Sequence, residues 1–239
     1  MLFVLDKPAL LLAIIVALYI GVVVGGAATV LTARALGDPM GQRSGFLSLN
    51  PVKHVQIYSA VSMVLAGYGW AEQIPLNDRW RARRFHVCAA VLARPVSYAV
   101  LSLAAVTGAK AINASIYDVG VDRIPKAVAA SPTARALNES FTGDFLLMMA
   151  LVFAGLCVVS LIPLPPTDLG RVIFTLGGTS MGWQKARFQL EERNLGLGIV
   201  LALLLLPILF TGFPSWVGQL SPQLVHGLGA IVGATVHVS

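Results

Sequence analysis

With 239 residues, 56% apolar and only 12% charged side chains, and a mean hydropathy of +0.79, the chain does not have the composition of an ordinary soluble domain. Its formal net charge of +6 comes from Lys and Arg gathered beside apolar stretches, which marks membrane topology rather than nucleic-acid binding. The first predicted element is an apolar stretch at 9–33, and a transmembrane helix needs about 20 such residues. It exceeds the about 7–15 residues of a signal-peptide core and is preceded by a single base, Lys7, so a cleavable signal is not expected. An uncharged but shorter stretch at 55–71 suits a half-spanning or tilted segment. Further spans are predicted at 85–109, interrupted by Arg94, at 145–167 and at 195–216. Cys88 and Cys157 fall inside spans and read as small apolar packing residues, with no disulfide inferred.

Between the spans, 110–144 is the one polar insertion. It carries Gly, Pro, Ser and Asn, and Ser131-Pro132 predicts the start of a short helix in it. The insertion is an external loop or, alternatively, a docking surface. From 194 to 239 there is no Lys, Arg, Asp or Glu. Within that run Ser221-Pro222 predicts a helix start, and the apolar tail 217–239 is expected to lie along the outer interface or to re-enter the membrane. Arg34, Arg43, Lys53, Arg79, Arg81, Arg83 and Arg84 surround the short second segment, and Arg171, Lys185, Arg187 and Arg193 lie between the last two spans. These should face the cytoplasm, with Lys7, Lys110, Arg123, Lys126 and Arg135 outside, giving four crossings and an outside amino terminus.

Four motifs carry a resemblance. The turn Leu36-Gly37-Asp38-Pro39 and the stretches LSLNPVKH (47–54), GWAEQIPLN (69–77) and LIPLPPTDLG (161–170) occur in the order found in the site-2 proteases. These are intramembrane zinc metallopeptidases (peptidase M50), and the chain is similar to them over about 9–210. The resemblance implies an HExxH motif on the first core helix, shortly before the Leu-Gly-Asp-Pro turn. Counting back along the family spacing lands on Gly25, Gly26, Ala27, Ala28 and Thr29, without an imidazole or a carboxylate. A zinc hydrolase needs three protein ligands, an open water position and a general base. Only the family's later Asp is matched, by Asp168 after Pro163, Pro165 and Pro166, with Gly170 and Arg171 continuing the match and Ser160 in place of the opening Asn. The vestigial site therefore comprises Gly25, Gly26, Thr29 and Asp168.

No other residue rebuilds the ligand set. His54 matches the family His after Asn-Pro, but Gln56 stands where an acidic residue is expected, and a helix-capping or interfacial role is the plainer account. His86, His226 and His237 have no paired ligand spacing. Gly21, Gly25 and Thr29 recur at i, i+4 and i+8, a small-residue face that would let a neighbouring backbone approach, although Gly is common in membrane helices generally. Where the family has Ala-Gly-Pro with a downstream Asn, this chain reads Ala93-Arg94-Pro95 and ends in Tyr98. Arg94 either pairs with Asp168 or snorkels to the headgroups. In GWAEQIPLN, Gly69, Trp70, Pro75 and Asn77 are retained. The family uses this region as an edge strand that pairs with extended substrate, and backbone pairing does not require zinc.

The reading is thus a single-domain, all-α polytopic membrane protein. It has a site-2 protease-like core of three transmembrane helices, a short or half-spanning segment and additional C-terminal helices, in a bacterial cytoplasmic membrane. It is expected to be catalytically inactive, without zinc or another cofactor. Its partners are other membrane proteins and lipid, not nucleic acid, with a role as structural or accessory subunit or assembly factor of a membrane complex. The alternatives are an active intramembrane metalloendopeptidase with unconventional ligands, or a non-cleaving binder of membrane substrates.

Overall fold

A computed structural model describes residues 8–50, 53–66, 68–77, 84–112, 141–177, 180–209 and 215–232. Helix α1 (Pro8–Ala35) begins on a proline, whose fixed φ and missing N–H suit a first helical turn, and is apolar on every face. It stops at Gly37, whose φ of +104° is left-handed. There Gly37 N–H donates to the Arg34 carbonyl and Asp38 N–H to the Ala33 carbonyl, the paired bonds of a Schellman stop. One turn, α2 (Met40–Arg43), follows, and α3 (Ile57–Ala66) comes next. At ten residues α3 is about 15 Å long, half of an approximately 30 Å hydrocarbon core.

Helix α4 (Arg84–Ile112) is the second long apolar element and contains Pro95. Helix α5 (Phe141–Ser160) is followed by turns and by α6 (Asp168–Leu176). Helix α7 (Met181–Arg187) runs into a wide turn at Phe188–Glu192, and α8 (Leu195–Leu209) and α9 (Trp216–Ile231) complete the described chain. Among the described residues two helices are long and apolar enough to cross a membrane, Leu11–Ala35 with 25 residues and Arg84–Ala111 with 28.

Helices α1, α4 and α5 pack against one another, α9 lies on α5 and α4, and α6 lies on α4. Small residues set the closeness of the first three: Ala13, Ala17, Ala150 and Ala154 are fully buried with Val22, Val106, Phe153 and Leu156. Interhelical hydrogen bonds tie α4 to α5, from Ser102 Oγ to the Ala150 carbonyl at 3.0 Å and from Cys157 Sγ to the Pro95 carbonyl at 3.4 Å. In lipid such dispersion contacts and polar ties hold helices together, because burial gains little over the hydrocarbon around them.

Several predicted boundaries move. The span at 145–167 ends as a helix at Ser160, because Pro163, Pro165 and Pro166 cannot continue it, and 161–167 form turns. The span at 195–216 is helical to Leu209, with 210–214 outside the described residues. Ser221-Pro222 does not start the last helix. Ser215 does, its Oγ accepting from Gly218 N–H at 3.0 Å, and Pro222 sits inside α9. Two Ser signals compete six residues apart, and the first has free N–H groups to cap. Nor does α9 lie along one end of the bundle. Trp216 shares a cavity with Val158 and Leu161 near the end of α5, whereas the Val232 carbonyl accepts from Lys110 Nζ at 2.7 Å near the end of α4. The stretch 69–77 forms no strand ladder among the described residues, only a single antiparallel bridge between Val55 and Ala71. The insertion helix at 131, the bases at 79–83, and His237 lie outside the described residues.

Candidate functional site

Asp168 is the first residue of α6, where the helix dipole favours a carboxylate. The preceding loop is locked by Thr167, whose hydroxyl donates to the Ile162 and Leu164 carbonyls. Its packing is tight, since a Cβ on Gly170 would overlap the Leu164 carbonyl and one on Gly196 would overlap that of Pro165. Asp168 is thereby aimed at α4, and Arg94 Nη1 donates to its Oδ1 at 3.0 Å, with 3% and 9% of the two side chains exposed. Arg94 Nη2 donates to the Glu72 carbonyl at 2.9 Å. One guanidinium therefore bridges α6 and the extended stretch 68–77.

Of positions 25–29, Gly25 packs against the arginine of this pair. A Cβ on Gly25 would stand 2.6 Å from Tyr98 Cε1 and 2.9 Å from Arg94 Cγ, and one on Gly26 would stand 2.5 Å from His54 Nδ1. A Cβ on Gly21 would meet Leu156 at 2.6 Å. At Gly21 and Gly25 the nearest neighbours are thus side chains of α5 and α4, where the spacing predicted a close backbone approach. Thr29 turns inward on its own helix, its Oγ1 donating to the Gly25 carbonyl at 3.2 Å. His54 is neither interfacial nor a cap. It is 2% exposed, with Nε2 at 2.9 Å from the Ser48 carbonyl and its ring edge-on to Phe46. Sequence spacing did not indicate that His54 would reach Gly26, because the turns and loop after α1 do not encode a tertiary contact.

The retained stretch is wired to the same place. Ser59 Oγ accepts from Trp70 N–H at 2.8 Å and also donates to the Trp70 carbonyl. Glu72 N–H donates to the His54 carbonyl at 2.6 Å, Arg171 Nη1 to the Ile74 carbonyl at 2.7 Å, and Gln73 Nε2 to the Pro166 carbonyl at 3.0 Å. Asp38, 1% exposed, accepts from Met40 N–H and from Asn77 N–H at 2.9 and 2.8 Å. Trp70 is 3% exposed and its indole N–H donates to Gln56 at 3.0 Å. Gly69 is closed in as well, since a Cβ there would meet Met63 and Ser59 at 2.6 Å. Of the four residues singled out here, Gly69 and Trp70 therefore face inward as scaffold.

Around Asp168 the polar groups thus include the guanidinium of Arg94, which also holds the Glu72 carbonyl, the guanidinium of Arg171 and the phenol of Tyr98. Arg94 Nε and the Tyr98 hydroxyl are buried with no partner among the described residues. No group of three His, Cys, Asp or Glu among the described residues stands close enough to hold a metal ion.

The chain is 35% identical over 71 residues to a Bacillus subtilis protein carrying the name "Putative zinc metalloprotease YwhC", an alignment covering 29% of this chain and 32% of that protein. The likeness thus spans about a third of the curated relative's length. No family model matches the chain, and no solved structure matches it.

Proposed function

We propose that the chain is a multi-pass relative of the site-2 proteases that has lost the hydrolytic apparatus and acts by binding other membrane proteins, as an accessory subunit or assembly factor. The observation that carries the reading is the Arg94–Asp168 pair at 3.0 Å. A fixed positive charge sits on the one carboxylate that the family resemblance would assign to zinc, and it would repel a divalent ion while neutralising the Asp. The donors around it do not suit zinc, which is held by Cys, His or carboxylate in a closed set of three or four. Gly25 and Gly26 leave room for Tyr98 and His54 in place of ligands. Hydrolysis would require both a metal-bound water and a general base, and positions 25–29 supply neither.

The protein is read as embedded in a bacterial cytoplasmic membrane with its amino terminus outside, supported by the two long apolar helices and by the placement of Lys and Arg. The test is purification of the full chain in mild detergent, with elemental analysis, a cleavage assay on transmembrane substrates and identification of co-purifying chains. The expected result is no stoichiometric zinc, no cleavage and a defined set of membrane partners. About one zinc per chain, lost on Asp168→Ala, would overturn the reading in favour of a metalloendopeptidase with unconventional ligands.

A further inference from the structure

Away from the Arg94–Asp168 pair, the end of α5, the turns after it, α8 and α9 enclose a cavity of about 940 Å³. That volume is at the upper end of the range of approximately 300–1,000 Å³ in which proteins hold small molecules. Among the described residues its lining is apolar apart from Tyr68, Ser215 and Gln223, and no charged side chain takes part. Two of these polar groups are already engaged: Ser215 Oγ caps α9 and Tyr68 meets the side chain of Ser221. The interior therefore offers no counter-charge and little hydrogen bonding, so its occupant is uncharged and hydrocarbon-like where it lies inside.

The mouth is apolar too. Leu161, Leu203, Leu220 and Trp216 line the cavity and are 41%, 38%, 43% and 62% exposed, so it opens to the outside of the protein through hydrophobic residues. An exposed Trp is favoured at headgroup level in a bilayer. A transmembrane helix of a partner is too thick for this space: at about 10 Å across, roughly two turns would exhaust the volume. A thin flexible chain has no such limit.

We infer that this cavity binds one acyl chain of a membrane phospholipid, drawn in through the Trp216 mouth with the headgroup left outside. The inference rests on the membrane placement proposed above but not on the loss of proteolysis.

The test uses the full chain reconstituted in vesicles of palmitoyl-oleoyl phosphatidylethanolamine and phosphatidylglycerol. The chain is re-extracted in detergent, washed, and counted for bound lipid by native mass spectrometry. Val158 is half-buried on the cavity wall, and Val158→Trp fills the space. Val100 is 59% exposed on α4 and does not line the cavity, so Val100→Trp is the control. The wild type and Val100→Trp should retain about one lipid per chain, and Val158→Trp about tenfold less, a loss of ~1.4 kcal/mol. In parallel, a phospholipid with a diazirine on its acyl chain should label the wild type at 158–164 and 216–224, a result that does not depend on any variant folding. Equal retention by all three proteins, no retained lipid, labelling spread evenly over the outer helix faces, or a polypeptide in place of lipid would each overturn the inference. A chain that fails to partition with the vesicles at all would instead overturn the membrane placement.

Discussion

At the residue scale the decisive group is Arg94, which satisfies Asp168 and the Glu72 carbonyl at once. A buried ion pair adds little net stability over an apolar pair, but deleting one partner strands the other, at about 3–5 kcal/mol. Arg94→Ala and Asp168→Ala should each lower thermal stability in detergent strongly, and the double variant should lose less than the sum. Additive losses in that cycle would contradict direct pairing. Tyr98 predicts the opposite sign. Its hydroxyl is buried without a partner among the described residues, so Tyr98→Phe should leave the melting temperature unchanged or raise it, by up to about 1–3 kcal/mol of relieved desolvation. Gly26→Ala should destabilise by about 1–3 kcal/mol as the new methyl pushes on His54.

At the scale of elements, the loop 161–167 is positioned by glycines on the helices that follow it. The positions to compare are Gly170, Gly196 and Gly198. The first two touch backbone of that loop, and the third has nothing within 4 Å. Gly170→Ala and Gly196→Ala should therefore unfold at lower temperature, whereas Gly198→Ala, inside α8, should be neutral or slightly stabilising because Ala is the better helix former. Equal effects at the three positions would mean that the loop is not held this way. The existence of the long helices was legible in the sequence, since apolar runs of such length with so few charges have few other folds. So was the stop at Gly37, where a glycine can take positive φ. Element ends were less legible where two local signals competed, as with Ser215 and Ser221, or where prolines ended a helix inside an apolar run, as after Ser160. Apolarity reports burial or lipid contact but not helical continuity. The residues closing over Gly25 and Gly26 were legible only in part. Arg94 stood out as a charge in an apolar segment, but the approach of His54 and of the Glu72 carbonyl depends on tertiary folding of loops with no periodic signal.

At the scale of the whole molecule, the ends of the helices fix how the chain would sit in a bilayer. Arg34 lies in the last turn of α1 and Arg84 opens α4, so the two longest helices bring their basic ends to the same side. Lys110 closes α4 at the other end, where it reaches the end of α9 through the Val232 carbonyl. Retention of Lys and Arg on the cytoplasmic side then predicts that positions 78 and 185 share the cytoplasm and that the end of α9 faces outward. The buried native thiols Cys88 and Cys157 should not react with a membrane-impermeant maleimide, which leaves a clean background for single introduced cysteines. Asp78→Cys and Lys185→Cys should label only after the cytoplasmic face is opened, whereas Ile231→Cys, 75% exposed on α9, should label in intact cells. Labelling of 78 and 185 from opposite sides would break the placement of the two long helices. Labelling of 231 from the cytoplasm would instead leave those helices in place and show that the end of α9 does not face outward, despite the Lys110 contact that ties it to the end of α4.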